Sequence, residues 1–126
     1  KDIPGIRKYV SIDGGLADNP RPALYQAVYE AALANRMNEP ATQTVRISGR
    51  SCETDTLIDE VSLPAPKRGD ILAVTSCGAY HYAMASNYNR VPIPAVVLVK
   101  DGKAALMVRR QTIDELTQWD EVPEWL

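Results

Sequence analysis

Apolar positions along the chain come in short runs cut by Gly, Pro and Asp: "KYVSID" from Lys8, "TVRISGRS" from Thr44, "DILAVTSC" from Asp70, "PAVVLVK" from Pro94 and "KAALMVR" from Lys103. Runs of this length, rich in β-branched residues and partly alternating, predict strands and therefore a mainly β domain. Asp101 and Gly102 separate the last two runs. A two-residue hairpin turn needs positive φ at its centre, which Asp-Gly supplies, so a hairpin is predicted there. Thr112 with Glu115 three residues later fits a capping box, and "TIDELTQW" is predicted as a short helix.

Residues 22–36, "PALYQAVYEAALANR", carry two patterns at once. Ala and Leu favour a helix, while Tyr25, Ala27, Tyr29, Ala31 and Leu33 alternate as a strand requires. The proline-rich "SLPAPKRGD" at 62–70 reads as a surface loop that delivers a buried strand from Asp70.

A length of 126 residues predicts one domain with a real core. Fourteen basic residues scattered in ones and twos, at a net charge of -2, form no stripe for a nucleic-acid backbone, and no apolar run is long enough for a membrane-spanning helix. Two cysteines 25 positions apart, with one histidine, make neither a disulfide framework nor a zinc site. Reduced cytosolic thiols are the expected state. The chain opens at Lys1 without a signal-like segment and reads as a piece of something longer.

Three stretches carry candidate chemistry. In "DNPRPALY", residues 18–25, prolines flank Arg21 and are expected to hold it extended, so that its guanidinium meets a carboxylate with less entropy lost, with Tyr25 adding a hydroxyl. A surface arginine beside a core tyrosine is the simpler reading of the same residues. In "SGRSCETDTLIDE", residues 48–60, a strand over 46–52 would put Arg50 and Cys52 on one face and Glu53 on the other. A guanidinium beside the thiol would favour thiolate and proton transfer, while a buried small cysteine and a solvated glutamate are the commoner reading of the same residues. In "TSCGAYHYAMASNYN", residues 75–89, Gly78 and Ala79 leave room for a flat ligand, and strand alternation would set Tyr80 and Tyr82 on one face. Core tyrosines would look the same, and His81 has no partner at metal-binding spacing and is given no role.

The order of these stretches says more than any one of them. "SIDGGLADNPRPALYQAVY", "ISGRSCETDT", "LPAPKRGDILAVTSCGAYHYAMASNYN" and "PAVVLV" in succession resemble the C-terminal domain of the diaminopimelate decarboxylase family, within the pyridoxal-phosphate-dependent, alanine-racemase-like decarboxylases. The resemblance implies a Greek-key β-sandwich or barrel with one or two short helices, residues 1–126 forming a single β domain. It implies that residues 21–25 make a tight turn or one helical turn and 26–35 a strand. The family's (β/α)8 barrel, with its cofactor lysine and glycine-rich phosphate loop, is absent from this chain. None of Lys1, Lys8, Lys67, Lys100 and Lys103 has a context suited to holding the cofactor, so the chain alone is expected to be inactive.

By the same resemblance the intact enzyme uses pyridoxal 5'-phosphate to convert meso-diaminopimelate to L-lysine and carbon dioxide. Its sites are shared across a head-to-tail homodimer in the cytoplasm. Arg21 and Tyr25 would hold the substrate's distal carboxylate and Glu53 its distal amino group. Tyr80 would stand beside cofactor and substrate, and Cys52 would be the proton donor reaching into the partner's site; no metal is implied. An ornithine- or arginine-type decarboxylase is the second reading, set back by the glutamate after the cysteine and by the Arg-Pro-Ala-Leu-Tyr run. A non-catalytic dimerisation or partner-binding homologue is the third.

Overall fold

The computed structural model describes residues 1–52 and 55–126, which divide into two units, Lys1–Ala85 and Ser86–Leu126. The first holds β1 (Asp2–Ile3), β2 (Arg7–Ser11), α1 (Arg21–Tyr25), β3 (Ala31–Leu33), β4 (Gln43–Ser48), β5 (Thr56–Leu63), β6 (Leu72–Val74) and α2 (His81–Met84). Its main sheet runs β1-β2-β4-β5, with β2 and β4 parallel and the other pairs antiparallel. Strands β3 and β6 form a separate antiparallel pair.

Alternation explains β4, where Val45 and Ile47 point inward and are almost fully buried. Its partner β5 breaks the pattern: Leu57 and Ile58 are both buried although adjacent. The reason is a register shift, since Val45 faces Val61 but Ile47 faces Ile58. The extra residue on β5 resets which face each side chain takes. These residues, with Leu33 and Leu63, make the core, and Val10, Ile12, Tyr29 and Leu72 close over it. The sequence pattern predicts no strand over 56–63, because Asp59 and Glu60 interrupt the apolar run at the irregularity.

Of the tight turn or helical turn expected over 21–25, helix α1 is the second, and it ends on Gln26 at φ 54°. Arg21 is therefore helical rather than extended: Pro22 sits in the first turn, where a missing N–H costs nothing. The expected strand over 26–35 is realised only at Ala31–Leu33.

In the second unit, β7 (Val96–Lys100) and β8 (Lys103–Val108) form the predicted hairpin. Asp101 and Gly102 both take positive φ, 50° and 70°, as a two-residue turn between right-twisted strands requires. Helix α3 (Ile113–Thr117) starts with both bonds of the Thr112–Glu115 capping box, and Arg109 pairs with Glu115. The fold is mainly sheet, with three short α-helices and no closed barrel among the described residues. None of those helices is long and apolar enough to cross a membrane.

Candidate functional site

Helix α1 packs against β5, and its first and last residues, Arg21 and Tyr25, belong to one cluster. The Arg21 guanidinium carbon lies 5.6 Å from the centre of the Tyr25 ring and 4.8 Å from that of Tyr80. Both rings are largely exposed, at 62% and 66%. Stacking on aromatic faces holds a guanidinium by its plane and leaves its N–H edge for an anion. Arg36, Arg46, Arg90 and Arg109 all pair with carboxylates of this chain, whereas Arg21 has no carboxylate partner among the described residues. Arg7, Arg50, Arg68 and Arg110 also lack one there, and what sets Arg21 apart is its contact with two tyrosine rings.

Tyr80 reaches Arg21 from the far end of the unit. Strand β6 stops at Val74, and α2 starts at His81 with Tyr80 before it at φ 71°. The expected strand-like alternation of Tyr80 and Tyr82 is thus corrected: Tyr82 is inside a helical turn, where positions two apart do not share a face. A Cβ at Gly78 would meet nothing within 4 Å, so the stretch before Tyr80 is open, as the sequence suggested.

Cys52 is exposed. It does not share a strand face with Arg50, because β4 ends at Ser48 and residues 49–52 are irregular. Asp55, 7% exposed, organises that segment: its Oδ2 accepts from Ser51 N at 2.9 Å, and its carbonyl accepts from Gly49 N at 2.8 Å. Arg50 N donates to Gly14 O at 3.0 Å, tying the segment to the Gly14–Gly15 turn. A Cβ on Gly49 would come within 2.2 Å of the Asp55 carboxylate, and one on Gly15 within 2.6 Å. The spacing Gly-X-X-Cys-X-X-Asp was visible in the sequence, but a buried carboxylate lodged against two glycines was not. Glu53 lies outside the described residues.

The second cysteine differs. Cys77 donates to Thr75 O at 3.4 Å, and burial pushes its thiol above the ordinary range. Both cysteines are free. Among the described residues no cluster of three or more His, Cys, Asp or Glu side chains could hold a metal.

Among the described residues the exposed Tyr80 ring offers a face to a flat ligand, Lys8 bonds Asp2 at 3.2 Å and Gln43 at 2.7 Å, and Lys1, Lys67, Lys100 and Lys103 are exposed.

Residues 1–78 match the family described as pyridoxal-dependent decarboxylase, C-terminal sheet domain. The chain is 54% identical over 121 residues to diaminopimelate decarboxylase of Bacillus subtilis, an alignment covering 95% of this chain and 28% of that protein. Against the Synechocystis sp. enzyme of the same name the figures are 51% over 127 residues, 100% and 27%. The structure of diaminopimelate decarboxylase from M. jannaschii in complex with L-lysine superposes with a TM-score of 0.91 at 34% identity, over 100% of this chain and 29% of that one. The chain thus spans a little over a quarter of the length of the relatives it matches.

Proposed function

This chain belongs to the pyridoxal-dependent decarboxylases, as their C-terminal sheet domain, and from that premise we propose that it serves a decarboxylase converting meso-diaminopimelate to L-lysine and carbon dioxide. Residues 1–126 act as one β domain beside a cofactor-bearing (β/α)8 barrel, in a cytoplasmic homodimer whose sites are shared between subunits. Pyridoxal 5'-phosphate, when bound, supplies the electron sink for loss of the carboxylate. This chain's residues orient the substrate and deliver a proton.

The observation that carries the reading is Arg21, in contact with the Tyr25 and Tyr80 rings and without a carboxylate partner among the described residues. Meso-diaminopimelate has an amino group and a carboxylate at each end, so a site that selects it needs a cation for the distal carboxylate. Arg21 offers a planar fork for two parallel hydrogen bonds, and Tyr25 a hydroxyl to the same group. Glu53 takes the distal ammonium. The Tyr80 ring lines both cofactor and substrate. Cys52 Sγ gives its proton to the substrate carbon that has lost carbon dioxide, and its exposure suits it to a partner subunit's site.

Arg21→Lys in the intact enzyme tests the assignment. A lysine keeps the charge but loses the fork, so KM for meso-diaminopimelate is expected to rise about tenfold or more, with a smaller change in kcat. An unchanged KM would remove Arg21 from the distal-carboxylate site.

A further inference from the structure

An exposed ring takes its position from its backbone, and the Tyr80 backbone stands at φ 71°, ψ -30°. A non-glycine residue persists in that region where its surroundings over-determine it. Its neighbour His81 is 8% exposed. His81 Nδ1 lies 3.0 Å from Ala79 O. Its ring meets Tyr29 edge-on, with centroids 5.2 Å apart and planes at 79°, and its carbonyl accepts from Ala85 N at 2.8 Å.

An imidazole donating from Nδ1 leaves Nε2 as a bare acceptor. That atom is buried with no hydrogen-bond partner among the described residues, an arrangement that a leucine of similar size would avoid. What leucine cannot provide is the Nδ1–H bond to Ala79, which closes the turn that presents Tyr80 outward. Asn19, two residues before Arg21, lines the same pocket of about 240 Å³ as His81 and also buries an unpartnered Oδ1. The two segments that carry Arg21 and Tyr80 therefore share one pocket lined by buried polar side chains. Local rules broken at such a place point to function.

The geometry points to His81 as a positioning residue that holds the Tyr80 ring over Arg21 and so sets the grip on the substrate's distal end, an inference that rests on the function proposed above. It acts through Tyr80 and touches neither substrate nor cofactor.

The test uses the intact enzyme with His81→Leu and His81→Asn, reading KM and kcat for meso-diaminopimelate and the crystal structure of each variant. The asparagine amide can occupy the place of Nδ1 and donate to Ala79. His81→Leu is expected to raise KM about tenfold with kcat within about twofold, and His81→Asn to keep KM within about threefold of the parent. In the structures the Tyr80 ring is expected to leave Arg21 in the first variant and stay in the second. Tyr80 still over Arg21 at parental KM in His81→Leu, or equal impairment of both variants, would overturn the role. A displaced ring at unchanged KM would also overturn it, since the ring's place would then not set the grip; the Arg21 assignment is judged separately by Arg21→Lys. Should His81→Leu fail to fold, His81→Gln, whose longer amide does not match Nδ1, takes its place with the same expected outcomes.

Discussion

Cys52 and Cys77 have the same side chain in different circumstances: one is exposed, while the other is half-buried with its thiol pushed up by burial. Proton delivery needs access, so the difference favours Cys52 as the donor. Cys52→Ala in the intact enzyme is expected to lower kcat by two orders of magnitude or more with little change in KM, the pattern of a group used only in the chemical step; steady-state turnover with equal kcat would remove it from the mechanism. Gly49 supports the same segment through the space it leaves for Asp55. Gly49→Ala would drive a methyl into that carboxylate and is expected to cost about 2 kcal/mol of stability by urea denaturation, as other overpacked sites do. An unchanged midpoint would mean that the segment yields freely. The sequence made Arg21, Tyr25, Tyr80 and Cys52 legible as candidates because their chemistry is written in residue type. It left His81 and Asp55 unread, since what singles them out is burial and partners that come from elsewhere in the chain.

Elements whose geometry is fixed by neighbours in sequence were the readable ones. The Asp101-Gly102 hairpin and the Thr112–Glu115 helix start are local bargains between two to four residues. Strand β5 was not readable, because its irregular register against β4 is a tertiary fact that scrambles the alternation. Helix α2 was hidden for a related reason: Tyr80 and Tyr82 alternate like strand residues, and only the positive φ at Tyr80 turns the chain into a helix. The β3–β6 pair illustrates a polar tie between elements. Asp70, ahead of β6, accepts from Asn35 at 3.0 Å, from Lys67 N at 2.8 Å and from Arg36 at 2.6 Å. These bonds, with that from Asn35 the largest influence, lower its carboxyl from 3.8 to about 2. A folded-state value below the unfolded one means that the bonds stabilise the fold fully above about pH 4 and that this contribution is lost as pH falls through about 2. Glu115, also lowered to about 2, mainly by Arg109, adds to the same window in the other unit. Asp70→Asn is therefore expected to lower Tm at pH 7 and to flatten the fall of Tm across the acid window. A parallel acid limb in parent and variant would show that the tie does not form.

At the scale of the molecule, the chain covers a little over a quarter of the relatives it matches, and its most chemically suggestive cluster faces outward. On the function proposed above, Arg21 with the exposed Tyr25 and Tyr80 rings contributes one part of the substrate site. The resemblance carried by four ordered motifs was enough to name the family, and residues 1–78 match that family; composition and periodicity alone reached no further than a mainly β domain. The most direct measurement is carbon dioxide release by the intact enzyme with pyridoxal phosphate, offered meso-diaminopimelate, ornithine and arginine side by side. Release from meso-diaminopimelate, with the other two at least about a hundredfold slower in kcat/KM, is the expected result for a site built to bind a distal carboxylate. Faster release from ornithine or arginine, or none from any of the three, would contradict the account.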